Sequence, residues 1–320
     1  MPGSRVICLD TVMVDVVFDV AQLPTRGGDA LSSRRVMTTG GGFNLMSAAR
    51  RQGMSVAYLG QIGSGPLAEL AQRSLDEEGI VNLAPSRGPL DIGLCVVLVD
   101  DGAERTFVTS PGAELTLSRA DLDAVEWLDG DVVYLSGYDF VYPELAEVVT
   151  PWLATLDERV TVSFDPGPRV SDISNETLRV VLERTDWLLS NEVEAECLSH
   201  VNDPEEALVV LQQRWNCEGL VIRLGERGCV GARANEYYRA GGFRVPAVDT
   251  NGAGDVHNGV VLASLSEGVG LATALLRANA AAAHSVATFG PATGPTRTQV
   301  DAFLANHSLE VQTTAFDPGG

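Results

Sequence analysis

The run Asp249-Thr250-Asn251-Gly252-Ala253-Gly254-Asp255 stands directly before an apolar stretch of helical spacing, Val256 to Leu265. Two glycines and an alanine ahead of a helix let successive backbone N–H groups converge with no side chain in the way. The helix N-terminus adds partial positive charge, so the turn is a cradle for an anion. Asp255 is out of place there, because a carboxylate would compete with the anion for the same N–H groups. Two separate tasks reconcile them. The N–H groups of Gly252, Ala253, Gly254 and Asp255 would stabilise charge on a transferring phosphoryl group, while the Asp255 carboxylate takes a proton from the attacking hydroxyl. The residues alone leave a second reading open: a glycine turn with Asp255 as a plain helix N-cap.

Composition narrows the chemistry. The 320 residues include 22 basic and 43 acidic side chains, a formal charge of −21, and every basic residue is arginine. Without lysine there is no Walker P-loop, no protein-kinase strand lysine, no pyridoxal Schiff base and no lysine aldolase. So acidic a chain also lacks the basic face of a nucleic-acid binder. Phosphoryl transfer must then draw positive charge from amides, Mg²⁺ or arginine. Arg169, in Asp165-Pro166-Gly167-Pro168-Arg169, follows the end of an expected parallel strand, a usual place for ligand contacts; an exposed salt bridge is the alternative. Cys8, Cys95, Cys197, Cys217 and Cys229 form no CxxC pair, and the histidines show no HxxxH spacing. Neither a disulfide framework nor a zinc site is suggested. Asp10, Asp15 and Asp19 break any signal-peptide core, and no uncharged apolar run reaches the roughly 20 residues that span a bilayer. A soluble cytoplasmic protein without membrane or nucleic-acid partners is expected.

The 45% apolar content suffices for a buried core. Val6 to Leu9, Val56 to Gly60, Val132 to Ser136, Val160 to Asp165, Trp187 to Ser190 and Leu220 to Leu224 are short apolar bursts separated largely by helical stretches. Among the latter are a helix after Gly42, stopped by Gly53, and an amphipathic helix from Pro66 to Glu78. Alternating βα units predict an α/β fold, a mainly parallel sheet between two helical layers. Residues 12–38 and 92–113 break that rhythm, and Asp101-Gly102 is a strong hairpin turn between two strands of the second segment. They are expected to form a small antiparallel β-lid on a main domain of residues 1–11, 39–91 and 114–308, with 309–320 a mobile tail. Gly63-Ser64-Gly65-Pro66-Leu67-Ala68 formally fits a dinucleotide fingerprint. The acidic strand-end residue about 20 positions later is missing, so it reads as a loop-to-helix turn.

The motifs together resemble the ribokinase (PfkB) carbohydrate-kinase family over nearly the whole chain. The family's DTxGAGD element is Asp249 to Asp255, its glycine pair and asparagine are Gly41-Gly42-Phe43-Asn44, its NxxE element is Asn191 to Glu194, and its nucleotide loop is Leu224 to Gly228. The resemblance implies a ribokinase-like three-layer α/β/α sandwich with a β-lid, and an ATP-dependent kinase of a small sugar or sugar derivative, with a nucleoside as the rival substrate. It implies Asp255 as base with the 252–255 amides as anion hole, and Asp15, Gly41, Gly42 and Asn44 on the substrate hydroxyls. Asn191 and Glu194 would order hydrated Mg²⁺ and the triphosphate. Gly225, Gly228 and Asn279 would border the nucleotide, and Asp249 would hold a monovalent cation, K⁺. Arg105 on a lid strand is a candidate substrate contact beside Arg169, and the lid edge a candidate homodimer interface. This chain departs from the pattern at Met46, where a small residue is usual, at Gly167, and at His257, which stands in a phenylalanine's place as proton relay or pocket wall.

Overall fold

The computed structural model describes residues 4–102, 104–234, 236–290, 292–307 and 309–315. The parallel strands β1 (Arg5–Cys8), β4 (Ser55–Tyr58), β5 (Val81–Asn82), β8 (Val132–Ser136), β9 (Thr161–Asp165), β10 (Trp187–Asn191) and β11 (Gly219–Arg223) form most of a large sheet. The antiparallel strands β12 (Cys229–Arg233), β13 (Glu236–Ala240) and β14 (Val311–Ala315) complete it, in the order β14-β13-β12-β11-β10-β9-β8-β1-β4-β5. Alternation along the buried strands creates the three layers. Val6 and Cys8 of β1, like Val132 and Tyr134 of β8, join one apolar cluster. Ile7, Leu9, Val133 and Leu135 join the cluster on the opposite face. Burial on both faces makes these strands continuous apolar runs, the pattern by which they are legible.

The second sheet, β3-β2-β6-β7, is built from β2 (Val12–Val20), β3 (Ser32–Gly41), β6 (Leu94–Val99) and β7 (Arg105–Ser110). This is the expected small antiparallel lid, with one parallel seam at its centre. Two antiparallel pairs, β2 with β3 and β6 with β7, join through a parallel pairing of β2 with β6. β2 and β6, the first strand of each excursion, are the two inner strands and run alike. Val17, Cys95 and Val97 make the lid's apolar cluster, and Phe289 of the main domain packs against it. The feet of the β6–β7 hairpin are clamped by the buried carboxylate of Glu114, which accepts from Gly93 N (2.7 Å) and Gly112 N (2.8 Å).

The expected mobile tail is corrected in part. Residues 311–315 pair with β13 as an edge strand, satisfying backbone groups that a free tail would leave to water, whereas 316–320 lie outside the described residues. No helix among the described residues is long and apolar enough to cross a membrane.

Candidate active site

Asp165, Asn191 and Arg223 are the last residues of β9, β10 and β11, and Asp10 lies just past β1. The carboxyl ends of parallel strands are where such sheets present side chains to ligands. Facing this edge is the helix Ala253–Ser266, which begins three residues earlier than its apolar spacing predicts. Gly252 is its N-cap, at φ 70°, a left-handed conformation in which glycine meets no Cβ penalty. No side chain caps this end; the Ala253 amide makes only a long bond to Thr250 O at 3.4 Å, and the first-turn amides, which have no intrahelical acceptor, face an outside anion.

Asp255 is therefore not the N-cap. It sits in the first turn, and its Oδ2 accepts from Asn44 Nδ2 at 3.1 Å. Asn44 is held in turn, since its Oδ1 accepts from Ala292 N at 2.9 Å. Burial, reinforced by the charge of Asp165, raises the Asp255 carboxyl to about 6; the Asn44 hydrogen bond and the Arg223 charge hold it back. It remains mostly ionised near neutrality, as a base requires.

Asp15 lies on β2 close by, its carboxyl raised to about 7 by burial and by Asp255. The glycines before Asn44 owe their identity to close approach. A Cβ on Gly41 (φ 64°) would stand 2.2 Å from Thr11 O, and one on Gly42 2.5 Å from Asp10 O. They let the turn before Asn44 lie directly on the 10–12 backbone. Two carboxylates beneath were missed in the sequence. Asp10 accepts from Ser136 Oγ at 2.5 Å and Asp139 from Ser136 N at 2.8 Å, both carboxylates buried. Burial lifts Asp139 to about 7, and burial with the neighbouring Asp139 lifts Asp10 well above its usual range.

On the other side of the helix terminus is a cavity of about 770 Å³, a size suited to a nucleotide. It is lined by Asn191, Gly225, Gly228, Gly254, His257 and Asn279, with Phe243, Val245 and Val286 as apolar wall. Asn279 Nδ2 donates to Ala240 O and Gly241 O, which leaves its Oδ1 to accept from His257 Nε2 at 3.1 Å. Burial, with the Arg223 charge behind it, pushes the His257 imidazole down to about 3. The ring tied to Asn279 lines the cavity, the pocket-wall position of the two alternatives.

Asn191 and Glu194 form a reciprocal capping box at the helix Glu192–Ser199: Asn191 N donates to Glu194 Oε2 (2.8 Å) and Glu194 N to Asn191 Oδ1 (2.9 Å). Burial first, then Asp165, raises the Glu194 carboxyl to about 7. No cluster of three or more acidic, histidine or cysteine ligands exists among the described residues. The donor set suits Mg²⁺ nonetheless, since that ion keeps most of its waters and leans on one or two carboxylates plus substrate phosphates.

Sequence reasoning also missed Arg223. Its Nη1 donates to Asn258 Oδ1 (2.6 Å), and its Nη2 lies 3.0 Å from Asp165 Oδ2 and 3.5 Å from Glu194 Oε2. Asn258 also donates to Asp165 Oδ2 at 2.6 Å. A Cβ on Gly254 would be 3.5 Å from Arg223 Nε, so the guanidinium lies against the anion cradle. An arginine closing an apolar strand, with no partner nearby in sequence, was the signal available. Arg169 is not brought in; it is half exposed and bonded to Asp172 at 2.8 Å, the salt-bridge alternative.

Arg105 and Asp249 also require correction. The Arg105 guanidinium pairs with Asp249 Oδ1 and donates to Thr250 Oγ1 at 2.8 Å, so the lid arginine is spent on the loop and not on the substrate space. Asp249 Oδ1 further accepts from Asn251 N and Oδ2 from Gly290 N, both at 2.9 Å. The carbonyl of Val286 accepts from the amides of Val248 and Asp249. With its carboxylate paired to the Arg105 guanidinium, this loop does not fit a monovalent cation while Arg105 is in place. The dinucleotide reading of residues 63–68 falls as well, because Asp91 fills that helix N-terminus, accepting from Leu67 N (3.1 Å) and Ala68 N (2.7 Å).

Known proteins are similar to this chain. The chain is 30% identical over 301 residues to YegV, an uncharacterized sugar kinase of Escherichia coli, covering 93% of each chain. It is 29% identical to an ATP-dependent ribose-1-phosphate kinase of Halopiger xanaduensis, over 94% of this chain and 98% of that one. A crystal structure of ribokinase from Thermotoga maritima superposes with a TM-score of 0.79 at 26% identity, covering 95% of this chain and 99% of the other. The model of the pfkB family carbohydrate kinases matches residues 4–299, and this chain belongs to that family of phosphotransferases.

Proposed function

We propose that the protein transfers the γ-phosphoryl group of ATP to a primary hydroxyl of a small neutral sugar or sugar derivative, with Asp255 as the base. One observation carries this reading: an uncapped helix N-terminus beside a nucleotide-sized cavity, with a carboxylate in its first turn bonded to Asn44 instead of to the helix amides. The acceptor hydroxyl would lie between Asp255 and the terminal phosphate. As the bond to phosphorus forms and the bond to the ADP oxygen breaks, Asp255 takes the hydroxyl proton and the 252–255 amides meet the charge on the phosphoryl oxygens. Asn44 keeps the base aimed. Glu194 and Asn191 are the residues that would hold hydrated Mg²⁺, an ion that would supply positive charge to the triphosphate. A closed lid would keep out the water that otherwise hydrolyses ATP.

The acceptor side favours hydroxyls over anions. Asp255, mostly ionised near neutrality, and Asp15, raised to about 7 by burial and by Asp255, carry negative charge there, and a phosphate or carboxylate on the acceptor would add like charge. A nucleoside is the second reading, favoured by the stacked rings of Tyr138 and Tyr142, 6.4 Å apart, in the segment after β8. ADP release across neutral hexoses, pentoses, keto-deoxy acids, sugar phosphates and nucleosides tests both. Turnover is expected with a neutral sugar, with kcat/KM at least about tenfold above any anionic acceptor. A best substrate carrying a phosphate or carboxylate would overturn the neutral-acceptor assignment, and silence across the panel the kinase reading.

The lid further supports a homodimer. β7 is an outer strand with Phe107 and Val108 53% and 63% exposed, an apolar edge that pairing with a second copy would cover. Light scattering should give twice the chain mass, and Val108→Lys should halve it; a wild-type monomer at micromolar concentration rejects this interface.

A further inference from the structure

The loop behind the anion cradle is tied to the lid by more than one contact. Arg105, on edge strand β7, reaches Asp249 and Thr250, while Arg34, on the opposite edge strand β3, places its guanidinium carbon 3.5 Å from the centre of the Phe289 ring. Phe289 seats the lid's apolar cluster, and its neighbour Gly290 donates to the other oxygen of Asp249. Asp249 is therefore the junction of the lid, the 289–290 segment and the loop that turns at Gly252 into the first-turn amides. Its charge needs a counterion there, since its side chain is only 4% exposed.

We propose that Arg105 is that counterion, a positioning residue carried by the lid, so that this enzyme works without a monovalent cation and lid closure itself completes the anion cradle. The inference rests on the phosphotransfer reading. It departs from the cation site that family resemblance implies at Asp249, and the departure follows from the donors: a guanidinium gives Asp249 and Thr250 two directed hydrogen bonds at once, which a spherical ion does not. With the lid open the charge leaves, Asp249 is unpaired, and the loop loses the contact that orients it. Turnover of ATP in the absence of an acceptor is thereby suppressed.

The test compares the wild type with Arg105→Gln, in potassium chloride and in tetramethylammonium chloride at equal ionic strength. Two readouts serve, ADP release with the best acceptor and hydrogen exchange of residues 249–252. The wild type should give rates and exchange equal within about twofold in the two salts. Arg105→Gln should lose about 30-fold in kcat in tetramethylammonium, less than the roughly 100-fold of a donor that touches the reacting group itself, because Arg105 acts through the loop. Potassium should restore at least about a third of that rate and slow the exchange of 249–252. A wild type that loses more than about threefold without potassium, or a variant indifferent to the salt in both readouts, overturns the proposal. If no acceptor supports ADP release in any salt, the kinase reading has failed, and the exchange data still decide whether Arg105 or potassium orders the loop.

Discussion

Asp255→Asn will lower kcat by about 10³-fold and leave ATP affinity within about threefold, because a positioned general base contributes roughly 10²–10⁴ and asparagine keeps the volume and the bond to Asn44 but takes no proton. The pH profile sharpens the expectation. Only the ionised carboxylate can act, so kcat/KM of the wild type should rise with pH and level off above about 6, the value set by burial and by Asp165. In the variant that acid limb should vanish. Stopped-flow ADP release between pH 5 and 9, with nucleotide binding by calorimetry, checks both. A variant within tenfold of wild type, or one that keeps the limb, removes Asp255 from its role.

The second large effect belongs to Arg223. Arg223→Met strips the counterion from Asp165 and Glu194 and one partner from Asn258. Removing one member of a buried ion pair costs about 3 kcal/mol, because the remaining charge is left unpaired in a poorly polarisable site. Catalysis should fall by about 100-fold for a related reason: the cationic edge against Gly254 is gone, and Asp255 loses a charge that favours its ionised form. The acid limb of kcat/KM should therefore shift to higher pH. Arg223→Lys, which keeps the charge and loses the fork, should return the limb to its place while recovering only part of the stability. Denaturant midpoints and pH–rate profiles of the three proteins measure this, and a methionine variant with unchanged stability and rate would refute it.

The contrast between these two residues shows what the sequence makes legible. Asp255 lies in a contiguous run whose glycines and following helix announce an anion cradle, so local order suffices. Arg223 acquires its meaning only when β9, β10 and β11 lie side by side and their ends meet Asn258 from the facing helix. Asp10 and Asp139 share that history, since Ser136 at the end of β8 brings them together. The buried parallel strands were readable because each is a continuous apolar run. The β2–β6 pairing was not, because it joins segments about 80 residues apart with nothing in either to mark it. β14 escaped because an edge strand of mixed polarity looks like a tail until β13 accepts it. Arg105 was legible as a lid cation, but its partner was misjudged; the distance from β7 to the 249–250 loop is a property of lid placement, not of spacing.

The Glu114 clamp bears on how the molecule breathes. With one carboxylate gripping Gly93 and Gly112, fraying of the hairpin at its base is opposed by two charge-assisted hydrogen bonds, which favours opening as a swing of an intact plate about that pivot. Substrate access would then be gated by a single hinge stroke, whose return is timed by how soon Arg105 finds Asp249 again.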